Sequence, residues 1–404
     1  MNATRILRIL SIVLIVVIVG AFLGWYAFVK KQVGTTQAVD SERGFGIAPS
    51  FGSPLGSTND IAGVSASGTS TPGAVAPRLW QVTRTPVAGF GFSASTSRLY
   101  LAERATGNIL QADPADSSLT RLTNTLFPKT YAALFAKDGS VLLRSLNDAG
   151  AMTTFAGTIT HASSTDSNPG TLTGLYLPED ILSIAARSNP NQIFYLARSG
   201  STVVGKTADW KGGAQKQVFS SILGQWQSAY LEDGAIYVMQ NPSDGVAGYA
   251  FKLSGGAAVP VAGPISGLEI LPRTSSGALL YSSSGSGGAG LYARASASSS
   301  AVTLPVRTIA EKCVWAPGNA LVAYCAVPVS ISSTTFLEDL LDGSLHTTDV
   351  WWRVDVSAGT ANKFFTTDSS LSLDVRDPKM DDSGAYIAFR NATDDTLWML
   401  RINQ

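Results

Sequence analysis

The sequence predicts an all-β, seven-bladed β-propeller preceded by one N-terminal transmembrane helix and a disordered linker. The first observation behind this is a repeat. Short apolar strands recur with anchors at Leu99, Val141, Ile193, Ile236, Leu279, Leu321 and Tyr386, spaced by 42, 52, 43, 43, 42 and 65 residues. A unit of about 42 residues holding four short strands is the period of a propeller blade. The second is the order of segments ahead of the repeat, an apolar run followed by a Gly/Ser/Thr/Pro-rich stretch.

The anchor is assigned to residues 1–33, with its helix over Ile9–Val29. This run of 21 residues is broken only by Ser11, Gly20 and Gly24. As a helix it is about 32 Å long, enough for a hydrocarbon core of roughly 30 Å. A cleaved signal peptide carries an apolar core of only about 7–15 residues, so an uncleaved single span is expected. Arg5 and Arg8 flank one end, and Lys30 and Lys31 the other. The slight positive-inside bias places the N-terminus in the cytoplasm and the propeller outside it. Residues 34–76 hold too little apolar surface to offset their ordering entropy and read as a flexible linker. Its root-mean-square reach is roughly 35–40 Å.

The propeller domain is assigned to 77–404. Each anchor reads as the second strand of a hairpin whose turn carries Gly, Asn, Asp or Ser, as in Lys137-Asp-Gly139, Glu232-Asp-Gly234 and Asp382-Ser-Gly384. The two long spacings are insertions, His161–Gly170 and Pro328–Val350. The chain ends after the third strand of the seventh unit, so 79–83 is expected to pair with 396–401 and close the ring. An open edge is otherwise an aggregation hazard.

Composition narrows the function classes. The chain has 29 basic and 29 acidic residues, no basic block, and only two Cys and two His. Nucleic-acid binding, which needs a phosphate-neutralising patch, is therefore not expected. No cofactor or metal motif is present. Asp381-Asp382 and Asp394-Asp395 lack the EF-hand pattern, and Asn391-Ala-Thr393 is a chance-frequency sequon. A serine triad needs an oriented His beside an activated Ser, and no Gly-x-Ser-x-Gly elbow occurs.

Cys313 and Cys325 are symmetric about Asn319, the centre of their hairpin turn, and face each other across one hairpin. Two states are open to them, a disulfide or a pair of small buried hydrophobes. A bridge would mark an oxidising compartment. In the Pro328–Val350 insertion, Thr335–Asp342 has helical spacing with Gly343 as its stop. Phe336, Leu337, Leu340 and Leu341 would seat this helix. The binding face is expected at Phe336, Glu338, Asp339, Asp342, His346 and Asp349, as an acidic, His-bearing patch or simply as the solvated side of a lid. Trp351 and Trp352 are adjacent in a strand and should point to opposite faces. Trp210, in a polar turn, is expected to be exposed.

Two stretches carry a family resemblance. Glu311-Lys-Cys-Val-Trp-Ala-Pro-Gly-Asn-Ala-Leu-Val-Ala-Tyr324, and Asp377-Pro-Lys-Met-Asp-Asp-Ser-Gly-Ala-Tyr-Ile-Ala-Phe389 followed by Leu397-Trp398, resemble the WD40-like (PD40) repeat of the TolB-type propellers. The likeness is close in two units and loose in five. It implies a propeller fold and says little of activity. The expected function is a non-enzymatic, membrane-tethered, extracytoplasmic propeller that binds a protein or glycan partner in the cell envelope, for instance as a scaffold of a surface or secretion assembly. The alternative is a carbohydrate-active hydrolase using carboxylates on the propeller face.

Overall fold

The computed structural model describes residues 77–403, apart from 95–96, 161–168, 179, 189, 286–287, 332–334 and 369. The expected membrane span and linker lie outside these residues. Among the described ones no helix is long and apolar enough to cross a membrane.

Seven four-stranded antiparallel sheets follow one another along the chain. Blade one comprises β2 (Val87–Phe92), β3 (Leu99–Glu103), β4 (Ile109–Ala112) and β5 (Leu119–Arg121). Blade two comprises β6 (Thr130–Phe135), β7 (Val141–Leu146), β8 (Met152–Thr160) and β9 (Thr171–Tyr176). Blades three, four and five are β10–β13, β14–β17 and β18–β21, within residues 181–221, 226–266 and 269–303. Blade six comprises β22 (Cys313–Trp315), β23 (Val322–Pro328), β24 (Asp349–Asp355) and β25 (Thr360–Phe365). In blade seven β26 (Val375–Met380), β27 (Tyr386–Asn391) and β28 (Leu397–Arg401) are completed by β1 (Leu79–Gln81). The register of that closure is Leu79↔Leu400, Trp80↔Met399 and Gln81↔Trp398.

Antiparallel order gives the disc two unlike faces. First and third strands start, and second and fourth strands end, on the face that carries the links between blades. We call this the link face and its opposite the turn face. On the turn face the first hairpin turns are tight, with Gly139, Gly234, Gly318 and Gly384 at φ of +86°, +85°, +84° and +73°. These values lie where L side chains rarely go. Side chains bind the turns to one another around the ring, the Lys137 pair reaching past blade one from blade two to blade seven. Lys137 pairs with Asp382 at 2.7 Å, Asn191 donates to Asp138 at 2.6 Å, and Ser188 N–H donates to Glu232 at 3.1 Å. Ser275 N–H donates to Asp233 at 2.7 Å, and Arg273 donates to Gly318 O at 2.6 Å. These bonds tie most of the turns of this face together.

One apolar cluster fills each gap between neighbouring blades, because alternate residues of every strand point to opposite sides of its sheet. Trp351 packs with Val375, Ile387, Phe389 and Leu400 between blades six and seven. Trp352 turns the other way, against the cluster of Leu280, Ala323, Cys325 and Val354 between blades five and six. Trp210 departs from expectation. It is 5% exposed and packs between blades two and three with Ile181, Ile193 and Tyr195. Its polar Asp-Trp-Lys turn describes the backbone there and not the ring.

Cys313 and Cys325 are direct partners in the β22–β23 ladder, with Sγ atoms 2.12 Å apart. Both are buried. Closing a loop of this size contributes about 3 kcal/mol in the chain-entropy account. Reduction is therefore expected to lower the unfolding free energy by about that amount, read from denaturant midpoints with and without reductant. The native chain should take up alkylating reagent only after reduction; two free thiols in the untreated chain would contradict this.

Candidate functional site

The insertion between β23 and β24 runs over the link face and contains α1 (Phe336–Leu341). This strap rests on four consecutive blades. Phe336, Leu337 and Leu340 sink into a pocket made with Ala289 and Ile309 of blade five and its outgoing link. Blade four holds the start of the helix: Asp244 Oδ2 accepts from the N–H groups of Leu337 at 2.9 Å and Glu338 at 3.1 Å. This is the work of an N-cap carboxylate, supplied from 93 residues away, while the hydroxyl of the local cap, Thr335, bonds Asp339. Blade seven holds the other end, where Arg376 Nη2 donates to Leu340 O at 2.5 Å. An anion at the N-terminus and a cation at the C-terminus both suit the helix dipole. Gly343, at φ +81°, lets the chain leave the helix.

Beneath and beside the strap lies a network of charge that takes in the expected Asp349 and His346, and whose other members, Lys312, Asp374, Arg376 and Glu269, sequence reading missed. Lys312, fully buried, donates to Asp349 Oδ2 at 2.6 Å, Asp374 Oδ1 at 2.6 Å and Thr347 Oγ1 at 2.7 Å. The second Asp374 oxygen lies 3.1 Å from His346 Nδ1. Arg376 pairs with Glu311 at 3.1 Å. Burial pushes the Asp374 carboxyl up, but the Lys312 ammonium, with Arg376 and His346, outweighs this and leaves it below the usual value. Glu269, on blade five, goes the other way. Desolvation, and then the nearby Glu311 carboxylate, raise it to about 8.

Glu269 therefore binds a proton near neutrality that the unfolded chain, with a glutamate near 4.3, releases. The proton makes the fold less stable as pH rises from about 4.3 to 8, with no further loss above that. Glu269→Gln keeps the hydrogen-bonding shape without the acid. The variant is expected to hold its stability between pH 5 and 8 while the parent loses on the order of a few kcal/mol. Parallel slopes in urea titrations across that range would refute this.

The structure rearranges the expected binding face. Phe336 is 1% exposed and belongs to the seat of the strap, because the apolar side of a two-turn helix faces the disc. Asp349 is 1% exposed and consumed by Lys312, because its place opposite Pro328 at the start of β24 turns it inward. Neither is a surface residue. Leu341, expected in the seat, is exposed instead. Glu338 stays exposed and accepts from Ser243 of blade four at 2.7 Å. Asp339 bonds Thr335, and Asp342 bonds the Ser344 N–H at 2.8 Å. His346 is 41% exposed beside a cavity of about 330 Å³ lined also by Val329, Ser330, Leu345 and Thr348. The acidic patch is thus dispersed into separate contacts. Among the described residues no group of three or more His, Cys, Asp or Glu is arranged to hold a metal ion. Asp381 and Asp394 are turn carboxylates, accepting from Tyr386 N–H and Thr396 N–H, and Asn391 is 4% exposed with its amide bound to Asp394.

The link face carries something else. Leu126, Tyr131, Ile222, Leu223, Val246 and Val329 are all exposed there, Ile222 by 84% and Val246 by 69%. Over blades one and two, two cavities of about 520 and 500 Å³ lie on either side of Pro128. The first has Pro86, Ala105 and Tyr131 in its wall, with Arg104 over the Tyr131 ring. The second has Leu126, Phe127, Leu146 and Tyr176.

No family model and no curated relative matches the chain. Solved propellers do match in fold. YCF48 from Cyanidioschyzon merolae is 11% identical, with 80% of this chain and 99% of that chain covered at a TM-score of 0.51. The β-propeller domain of the Trilobed protease from Pyrococcus furiosus is 9% identical, with 79% and 98% covered, also at 0.51. A streptogramin B lyase is 13% identical, with 80% and 97% covered, at 0.50. At such identities the likeness shows the seven-bladed fold and no activity.

Proposed function

We propose that this chain is a non-enzymatic binding propeller, held to a membrane through Ile9–Val29, that engages a protein of the cell envelope on its link face. The observation that carries this is the contrast between the two chemistries of that face. Most of the buried charges at the strap pair with one another: Lys312 is bonded to Asp349 and Asp374, all three fully buried, and Arg376, nearly buried, pairs with Glu311. The apolar side chains have no such partners and stand in solvent, mostly on this one face, beside cavities with apolar walls. Exposed apolar groups gathered on one side of a soluble scaffold mark protein contact. The WD40-like repeat resemblance at Glu311–Tyr324 and Asp377–Phe389 fits a TolB-type binding role. The paired Cys313 and Cys325 suit the extracytoplasmic address expected from Arg5 and Arg8.

Photo-crosslinking side chains placed at Tyr131 or Ile222 of the full-length chain in its own cell should trap a protein partner. The same groups at Leu119 or Val302, at the turn-face ends of outer strands, should not. Equal trapping from all four, or glycan cleavage by the isolated propeller, would overturn the reading. Removal of residues 9–29 should move the chain from the membrane fraction.

A further inference from the structure

The outermost strand of every blade is a sheet edge, and six of the seven are protected in recognisable ways. β5 has three residues and ends in Arg121, β1 has three, and the outer strand of blade five, Val302–Thr303, has two. Lys216 sits in the outer strand of blade three and Lys363 in β25. Pro260 and Pro264 break up the outer strand of blade four. Short strands, Lys and Pro are the devices that stop edges from recruiting other strands. β9 of blade two uses none of them. It is six residues long, Thr-Leu-Thr-Gly-Leu-Tyr, uncharged and free of proline.

Its open side can be read from its bonds. Leu177 N–H bonds inward to Thr154 O, whereas Leu172 N–H bonds outward to Thr125 Oγ1. Residues of the same parity as Leu172 therefore turn their peptide groups outward, which leaves Gly174 and Tyr176 facing away from β8. The chain already uses the first part of this edge. The link leaving blade one forms a parallel bridge, Thr123↔Gly170, with Gly170 N–H donating to Leu122 O and Asn124 N–H to Gly170 O. The link then departs at Leu126, and among the described residues nothing pairs with the edge beyond that point. Gly174 is needed for this strand to lie close to β8, since a Cβ there would meet Ala156 O at 1.9 Å. Tyr176 also forms part of the 500 Å³ cavity beside Leu126 and Phe127.

We propose that the free half of β9, from Leu172 O to Tyr176, takes up an extended strand of the partner protein, with one apolar side chain of that strand entering the cavity at Tyr176. The occupant follows from what is unpaired. Outward N–H and C=O groups at alternate residues are matched in repeat only by another extended backbone. An uncharged edge favours an uncharged, β-forming segment. This rests on the protein-binding reading above and names how the partner is held.

The test uses the full chain in detergent and an acetylated, amidated Thr-Val-Thr-Val-Thr-Val peptide at millimolar concentration. In the free chain the N–H groups of Gly174 and Tyr176 should exchange with solvent faster than those of Thr173 and Leu175. The peptide should slow the former pair at least tenfold. A peptide N-methylated at alternate residues should not. Leu175→Lys, which gives β9 the protection its counterparts have, should abolish the effect, and Val302→Lys should leave it intact. The proposal fails if Gly174 and Tyr176 are already protected in the free chain, or if the peptide leaves them unchanged. It fails equally if protection grows with protein concentration alone, which would assign the edge to a second copy. If crosslinks from Tyr131 persist while the β9 effects are absent, the strand-addition mode falls and the binding reading stands.

Discussion

Lys312→Ala is expected to destabilise the propeller by about 3–5 kcal/mol, because it leaves two carboxylates buried without their cation. Asp349 and Asp374 are both fully buried, and the ammonium is the group that brings them within 2.6 Å of a common centre. The loss should depend on pH in a definite direction. In the parent the Asp374 carboxyl sits below its ordinary value, so its contribution is present above about pH 4 and disappears as pH falls through the depressed value. In the variant the Asp374 carboxyl has lost the ammonium that held it ionised and is relieved by protonation. Stability curves of the two proteins should therefore lie far apart at pH 7 and converge towards pH 3. A gap that is equal at both ends would mean that Lys312 acts through packing alone.

Phe336→Ala should cost about 3–5 kcal/mol of strap stability by emptying the seat on Ala289 and Ile309. The consequence is local as well as global. Without that seat the helix can no longer hold the Arg376 guanidinium through Leu340 O or present its first N–H groups to Asp244. Amide exchange at Asp342 and Leu345, whose N–H groups bond Glu338 O and Asp339 O, should accelerate by more than tenfold, while the strands of blades one to three stay protected. Leu341→Ala, on the exposed side of the same helix, should change stability by no more than about 0.5 kcal/mol. Exchange that rises equally in every blade would show that the strap is part of one cooperative unit with the disc.

What could be read in advance was what repeats or alternates. The seven anchors lie in or at the start of the second strands because apolar triplets and their Gly-bearing turns recur at blade length. The opposite directions of Trp351 and Trp352 follow from strand geometry alone. The strap helix was legible from Thr335 to Gly343 and so was its seat at Phe336, Leu337 and Leu340, yet Leu341 stands exposed, since a six-residue helix has too few turns to define a stripe. Lys312, Asp374, Arg376 and Glu269 gave no local sign. They are separated by up to 107 residues and meet only because the ring brings three consecutive blades to one rim.

The way the ring closes has a mechanical side. β1 is the point where the chain from the N-terminal side joins the disc, and three residue pairs with Trp80 buried against Tyr386 hold it in place. A pull on the chain ahead of residue 77 is carried by these pairs together with Arg78, which bonds Arg401 O and Phe364 O. The closing strand is thus a fuse in series with the rest of the molecule. Tension sufficient to strip it would expose β28 as a fresh sheet edge, while Ser97 with Asp381, Lys379 with Phe90 O and Lys137 with Asp382 still tied blade seven to blades one and two.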